Sequence, residues 1–148
     1  MRKIDQQDLF NLNRFLEAQE AVYSIALTEL RAGKKRTHWS WYVFPQIRGL
    51  GTSAMSVLYG LSGLAEAKAY LKHPILGERL KEIVTVILSH NDFSATHILG
   101  EVDAQKLRSC LTIFSLANNE ESLFQVALDK YFAGVQDPAT LAILVDKD

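Results

Sequence analysis

The chain is poor in the residues that would bind metal or cross-link it. Its 148 residues include one cysteine, Cys110, so no disulfide can form within the chain and no multi-cysteine zinc site is possible. The four histidines, His38, His73, His90 and His97, are scattered, and no pair has the i, i+4 spacing of a helical zinc site. No metal is expected. Neither charge is in excess: 16 Lys and Arg against 17 Asp and Glu leave a net charge of −1. That balance speaks against a dedicated nucleic-acid binder, which carries a basic surplus. No apolar run approaches the ~20 residues of a membrane span, and the start, Met1-Arg2-Lys3-Ile4-Asp5, is too polar for a signal peptide. These absences predict a cytoplasmic protein without a membrane partner. Proline is also scarce, at three residues, so each one marks a boundary.

What is present is helical periodicity in a chain that is 48% apolar and 22% charged. Phe15, Leu16, Val22, Ala26, Leu27 and Leu30 predict one helix over 13–32, with Asn11 or Asn13 as cap and Gly33 as stop. Thr52 or Ser53 can cap a short helix to about Tyr59, and Ser62 another to Leu71. His73-Pro74 is a break, since the residue before proline is driven out of helical geometry. Leu76, Leu80, Ile83, Val84, Ile87 and Leu88 form the clearest core stripe, over 74–89. A short turn follows over 94–99, then a nearly all-apolar, hence central, helix over 103–118 and another over 120–133. Asp137-Pro138 opens a last helix to about Val145. Only Trp41-Tyr42-Val43-Phe44 looks strand-like, and one strand makes no sheet. The expectation is all-α: one multi-helical domain over 1–148 with six to eight helices, residues 1–8 forming a poorly ordered tail.

The densest chemistry lies in His38-Trp39-Ser40-Trp41-Tyr42-Val43-Phe44-Pro45-Gln46-Ile47-Arg48-Gly49-Leu50-Gly51. Five rings fall within its first seven positions, after the basic run Lys34-Lys35-Arg36, whose charges ordinarily complement a helix C-terminus. If the segment is extended, Trp39, Trp41 and Val43 share a face; if helical, His38, Trp41 and Tyr42 do. Rings beside fixed polar heads are the materials of a small-ligand pocket. In such a pocket Trp39 or Trp41 stacks on a planar group and Gln46 reads a polar edge. Arg48, the Gly49 and Gly51 backbone and the helix start at Ser53 hold an anion. A bland alternative stands beside this one, in which the rings fill core and the glycines only make the turn. Asp103, Lys106 and Ser109 share a face of a later helix and supply a second patch. His38 is the one acid–base candidate nearby. Ser109 and Cys110 lie mid-helix without an exposing elbow, which argues against either as a nucleophile.

Those same residues carry a resemblance that spans nearly the whole chain. It begins with Arg14-Phe15, Ala18-Gln19, Glu29-Leu30 and Gly33-Lys34-Lys35. Its signature is His38-Trp39-Ser40-Trp41, Phe44-Pro45-Gln46 and Gly49-Leu50-Gly51 with Ser53. Tyr70-Leu71-Lys72-His73-Pro74, Asp103, Lys106-Leu107, Ser109, Thr112, Phe114, Gly134, Asp137 and Thr140-Leu141 continue it. In these the chain resembles the bacterial domain-of-unknown-function family 1810, a set of small proteins. Ser40, Cys110 and Leu111 depart from it, standing where such proteins commonly show methionine, serine and methionine. The resemblance implies an all-helical domain and brings no activity, cofactor or catalytic residue.

The functional expectation is a small-molecule-binding domain, for a nucleotide-like or anionic metabolite, with its pocket over 38–53. The rival from another class is a protein–protein interaction module anchored by Trp39, Trp41 and Phe44. Single-stranded nucleic-acid binding has suitable rings but lacks surrounding positive charge, and ranks third.

Overall fold

The computed structural model describes residues 8–118 and 123–147, and among them it is helical without a strand. Ten helices follow in order: α1 (Asn13–Gln19), α2 (Tyr23–Arg31), α3 (Ser40–Val43), α4 (Ala54–Leu58), α5 (Leu64–Lys72), α6 (Leu76–Leu88), α7 (Ala95–Leu99), α8 (Glu101–Ala117), α9 (Leu123–Phe132) and α10 (Pro138–Lys147). The number exceeds the six to eight expected for two reasons. The helix expected over 13–32 breaks at Glu20-Ala21-Val22, and the strand-like Trp41–Phe44 stretch closes a helical turn instead.

The break has a tertiary cause. Gln19, at the end of α1, is buried although polar. Its Nε2 donates to the Tyr42 carbonyl (2.6 Å) and the Tyr70 hydroxyl (3.1 Å), while Arg79 donates to its Oε1 (3.2 Å). A buried amide must be satisfied, and α1 ends where those partners can be met.

Side chains cap several of the helix starts. Ser53 Oγ accepts from Ser56 N–H at the start of α4, and Ser94 Oγ from His97 N–H at α7. Ser62 does not cap α5 with its side chain; the Glu66 carboxylate reaches back to the Ser62 N–H (2.8 Å). At the proline break the His73 ring serves, its Nδ1 accepting from Ile75 and Leu76 N–H (3.1 and 3.2 Å). Asp137 opens α10, accepting from the Thr140 N–H (3.1 Å) and hydroxyl (2.6 Å). The tail expected over 1–8 lies outside the described residues except for Asp8, whose carboxylate accepts from Leu12 and Asn13 N–H and so does the capping expected of Asn11 or Asn13. The predicted start of the 120–133 helix likewise lies outside them.

Helix α8 is the axis of packing, touching α3, α5, α7, α9 and α10. Its Leu107, Cys110, Leu111, Ile113 and Phe114 are buried, and α6 adds Leu76, Leu80, Ile83, Val84 and Ile87 from the predicted stripe. At the centre the Cys110 thiol is pushed well up by burial, so it packs as a small apolar group.

Candidate functional site

The aromatic segment is held from below by one carboxylate. Glu29, on α2, accepts from Arg36 N–H (2.9 Å), Thr37 N–H (3.1 Å), the Thr37 hydroxyl (2.7 Å) and Trp39 Nε1–H (2.9 Å). Burial alone would raise its pKa, but these four donors outweigh burial and draw it down to about 2. The Lys34–Arg36 run is thereby folded against the protein: Lys35 N–H donates to the Ile98 carbonyl, and its ammonium meets Asp103 (2.8 Å).

Above that anchor the chain makes a single helical turn, α3, closed by Phe44 N–H to the Ser40 carbonyl (2.8 Å). At about 100° per residue, positions two apart point to nearly opposite sides. Trp39 goes inward, 1% exposed, edge-on to Phe44 (5.5 Å between ring centres). Trp41 and Tyr42 stay half-buried and His38 is exposed, which is the helical alternative of the two patterns. The Ser40 hydroxyl is buried with no hydrogen-bond partner among the described residues.

Beyond α3 the chain pairs with a later stretch of itself, Ile47 bridging Leu61 in parallel. Leu61 N–H donates to the Gln46 carbonyl and Arg48 N–H to the Leu61 carbonyl, both at 2.8 Å. Gly60 fits this pairing because a Cβ there would lie 2.8 Å from Arg48 Cα; the approach demands glycine. Gly49 takes φ +114°, the left-handed region. Between α3, the 46–53 loop, α4 and α8 a cleft of about 450 Å³ opens, lined by Trp41, Gln46, Ile47, Leu50, Gly51, Thr52, Ser53, Ser56, Tyr59, Gly60 and Lys106. Lys106 is the charged residue of that wall. Its ammonium lies 4.1 Å from the centre of the Trp41 ring and 3.2 Å from Asp103. Asp103 faces both lysines; partial burial opposes its ionisation, and the two ammonium groups hold its carboxyl below the usual range.

The expected site residues therefore divide. Trp41, Gln46, Gly51, Ser53 and Lys106 meet in the cleft. Trp39 lies in the core beneath it, and exposed His38 is absent from its wall. Arg48 Nε and Nη2 donate to the Val57 and Gly60 carbonyls (3.2 and 2.9 Å), bracing α4. Gly49 shapes the turn and faces Ile143. Ser109, buried, donates to Asp137 (3.1 Å) and ties α8 to the start of α10. Sequence reasoning missed Ser56, Tyr59 and Gly60, which lie beyond the expected 38–53 stretch and join the wall where Leu61 pairs with Gln46 and Arg48. Asp103 and Lys106 were legible as a face of α8; their partner Lys35 was not.

Among the described residues no group of three or more His, Cys, Asp or Glu could hold a metal, and no helix is long and apolar enough to cross a membrane. No match is found among curated proteins. A crystal structure of a conserved hypothetical protein from Mycobacterium tuberculosis is similar in sequence and fold, with 46% identity and a TM-score of 0.92 over 93% of this chain and 99% of that one. Residues 9–144 match the family described as "Protein of unknown function (DUF1810)". The chain belongs to that family.

Proposed function

We propose that this protein is a small-molecule-binding domain whose ligand, a nucleotide-like or other anionic metabolite, occupies the cleft between α3, α4 and α8. The observation that carries this reading is the composition of the cleft wall. Two rings, Trp41 and Tyr59, stand with Gln46, three hydroxyl residues and one cation, and with no acidic residue, around about 450 Å³. That volume and mixture suit a ligand with a planar body and a negative group. In this reading Trp41 meets the planar body, Gln46 reads a polar edge, and Lys106 with Thr52, Ser53 and Ser56 receives the anion. Arg48, Gly49, Trp39 and Ser109 serve by shaping the wall. The interaction-module alternative is weakened, because Trp39 and Phe44 are both buried and only Trp41 of its three anchors remains reachable.

Thermal melting against a panel of nucleotides and acidic metabolites tests the proposal. A true ligand at a hundredfold excess over Kd stabilises the folded protein by about 2.7 kcal/mol, which raises the midpoint by several degrees. Trp41→Ala should remove the shift. A wild-type midpoint unmoved by every member of the panel would overturn the reading.

A further inference from the structure

Two tryptophans two residues apart each carry a lysine over the ring, and one carboxylate joins the lysines. Lys35 Nζ lies 4.9 Å from the centre of the Trp39 ring and 2.8 Å from Asp103; Lys106 Nζ lies 4.1 Å from the Trp41 ring and 3.2 Å from the same Asp103. The two ends differ. The Lys35 side chain is 6% exposed, and its ammonium also donates to the Thr37 carbonyl. The Lys106 side chain is 20% exposed, and it lines the cleft. An ammonium has three donors, and the longer Asp103 contact is the ion pair recorded for Lys106. Two cations against one anion leave these three groups with a single net positive charge, and of the two cations Lys106 is the one that lines the cleft.

We infer that Asp103 sets the charge class of the ligand: by neutralising one of two lysines it leaves the cleft suited to a planar molecule with one anionic group, a carboxylate or a phosphomonoester, and not to a di- or triphosphate. The inference rests on the proposed cleft site and deepens it. Asp103 is a positioning residue, acting on the ligand through Lys106. Further phosphates would meet no second cation, because Lys35 is committed to Asp103 and Thr37, while Arg48, outside the wall, is committed to the Val57 and Gly60 carbonyls.

Calorimetric titration with adenosine, adenosine 5′-carboxylate, AMP, ADP and ATP tests this on the wild type, Asp103→Asn and Lys106→Met. For the wild type, AMP or the 5′-carboxylate should bind about tenfold or more tightly than adenosine, as expected for one opposite charge near a protein surface. ADP and ATP should gain less than about twofold over AMP. Whichever of AMP and the 5′-carboxylate binds more tightly identifies the anionic group. Lys106→Met should abolish the advantage of the charged ligands while leaving adenosine binding in place. Asp103→Asn should tighten AMP and restore a further gain for ADP and ATP, a change that loss of a purely structural residue would not produce. If Asp103→Asn does not fold, Lys35→Met replaces it: with Asp103 left to Lys106 alone the advantage of AMP over adenosine should fall, and an unchanged advantage would overturn the role given to Asp103. Adenosine binding as tightly as AMP, or ATP far more tightly than AMP, would overturn the charge assignment and leave the cleft site standing. No binding by any of the five would remove the support for this site reading and the inference with it.

Discussion

Trp39 and Trp41 are two residues apart and chemically identical, yet the protein uses them in opposite ways. Trp39 is sealed, its N–H given to the Glu29 carboxylate and its ring packed on Phe44. Trp41 is half-buried at the edge of a cleft, with the Lys106 ammonium over its face. The same division runs through the cations nearby. Arg48 is spent on two backbone carbonyls of the α4 region, whereas Lys106 lines open volume. A motif dense in costly residues is therefore not one functional unit. Half of it builds the platform on which the other half stands, and the halves are told apart by where each polar atom finds its partner.

Truncating the two rings in parallel should separate those halves most widely. Trp39→Ala should cost about 3–5 kcal/mol, from lost burial and an unfilled cavity. Trp41→Ala should cost about 1 kcal/mol, near the value of a partly exposed cation–π contact. Urea denaturation reads both, and equal losses would break the comparison.

Glu29→Gln sharpens it next. The amide keeps one acceptor and sets an NH2 against donors, so a loss of about 1–3 kcal/mol is expected at neutral pH. The sign of the pH effect follows from the pKa. Glu29 sits at about 2 in the folded protein against 4.5 for an ordinary glutamate. As pH falls from about 4.5 to about 2, the unfolded chain takes up the proton first, so the stability contributed by the carboxylate is lost across that window. Melting curves from pH 7 to 2 should show Glu29→Gln with a flatter acid decline than the wild type; parallel declines would mean that the four donors do not hold the charge.

The smallest effect concerns Arg48. Its guanidinium is exposed and shares the Gly60 carbonyl with Arg14 (3.1 Å), so Arg48→Ala should lower unliganded stability by only about 1 kcal/mol. Any ligand-induced rise in midpoint should survive this substitution, since Arg48 does not itself line the cleft and its guanidinium is held by the Val57 and Gly60 carbonyls. Loss of that rise would return Arg48 to the site and redraw the boundary between platform and cleft.

Most of the helices were legible because local rules write them. The α6 stripe, the Ser53 and Asp137 caps, the short turn over 94–99 and the His73-Pro74 break depend on residues within one or two turns of each other. Helix α3 was not, since four β-compatible residues, Trp41 to Phe44, read locally as a strand, and their single turn is imposed by neighbours. The break at Glu20 to Val22 escaped for the same reason: Gln19 finds its partners on α3, α5 and α6.

Local spacing alone places amphipathic helices at α6 and α8, and the densest run of rings and polar heads lies between His38 and Ser53. Apolar spacing and capping act over a few residues, so both can be read along the chain. Which of those residues face a cavity depends on contacts made across the fold. Glu29 had to reach across from α2 to claim Trp39, and Lys106 had to arrive from α8 to cover Trp41. The burial of a polar atom depends on partners distant in sequence, and no local period records which side of a single helical turn they will occupy.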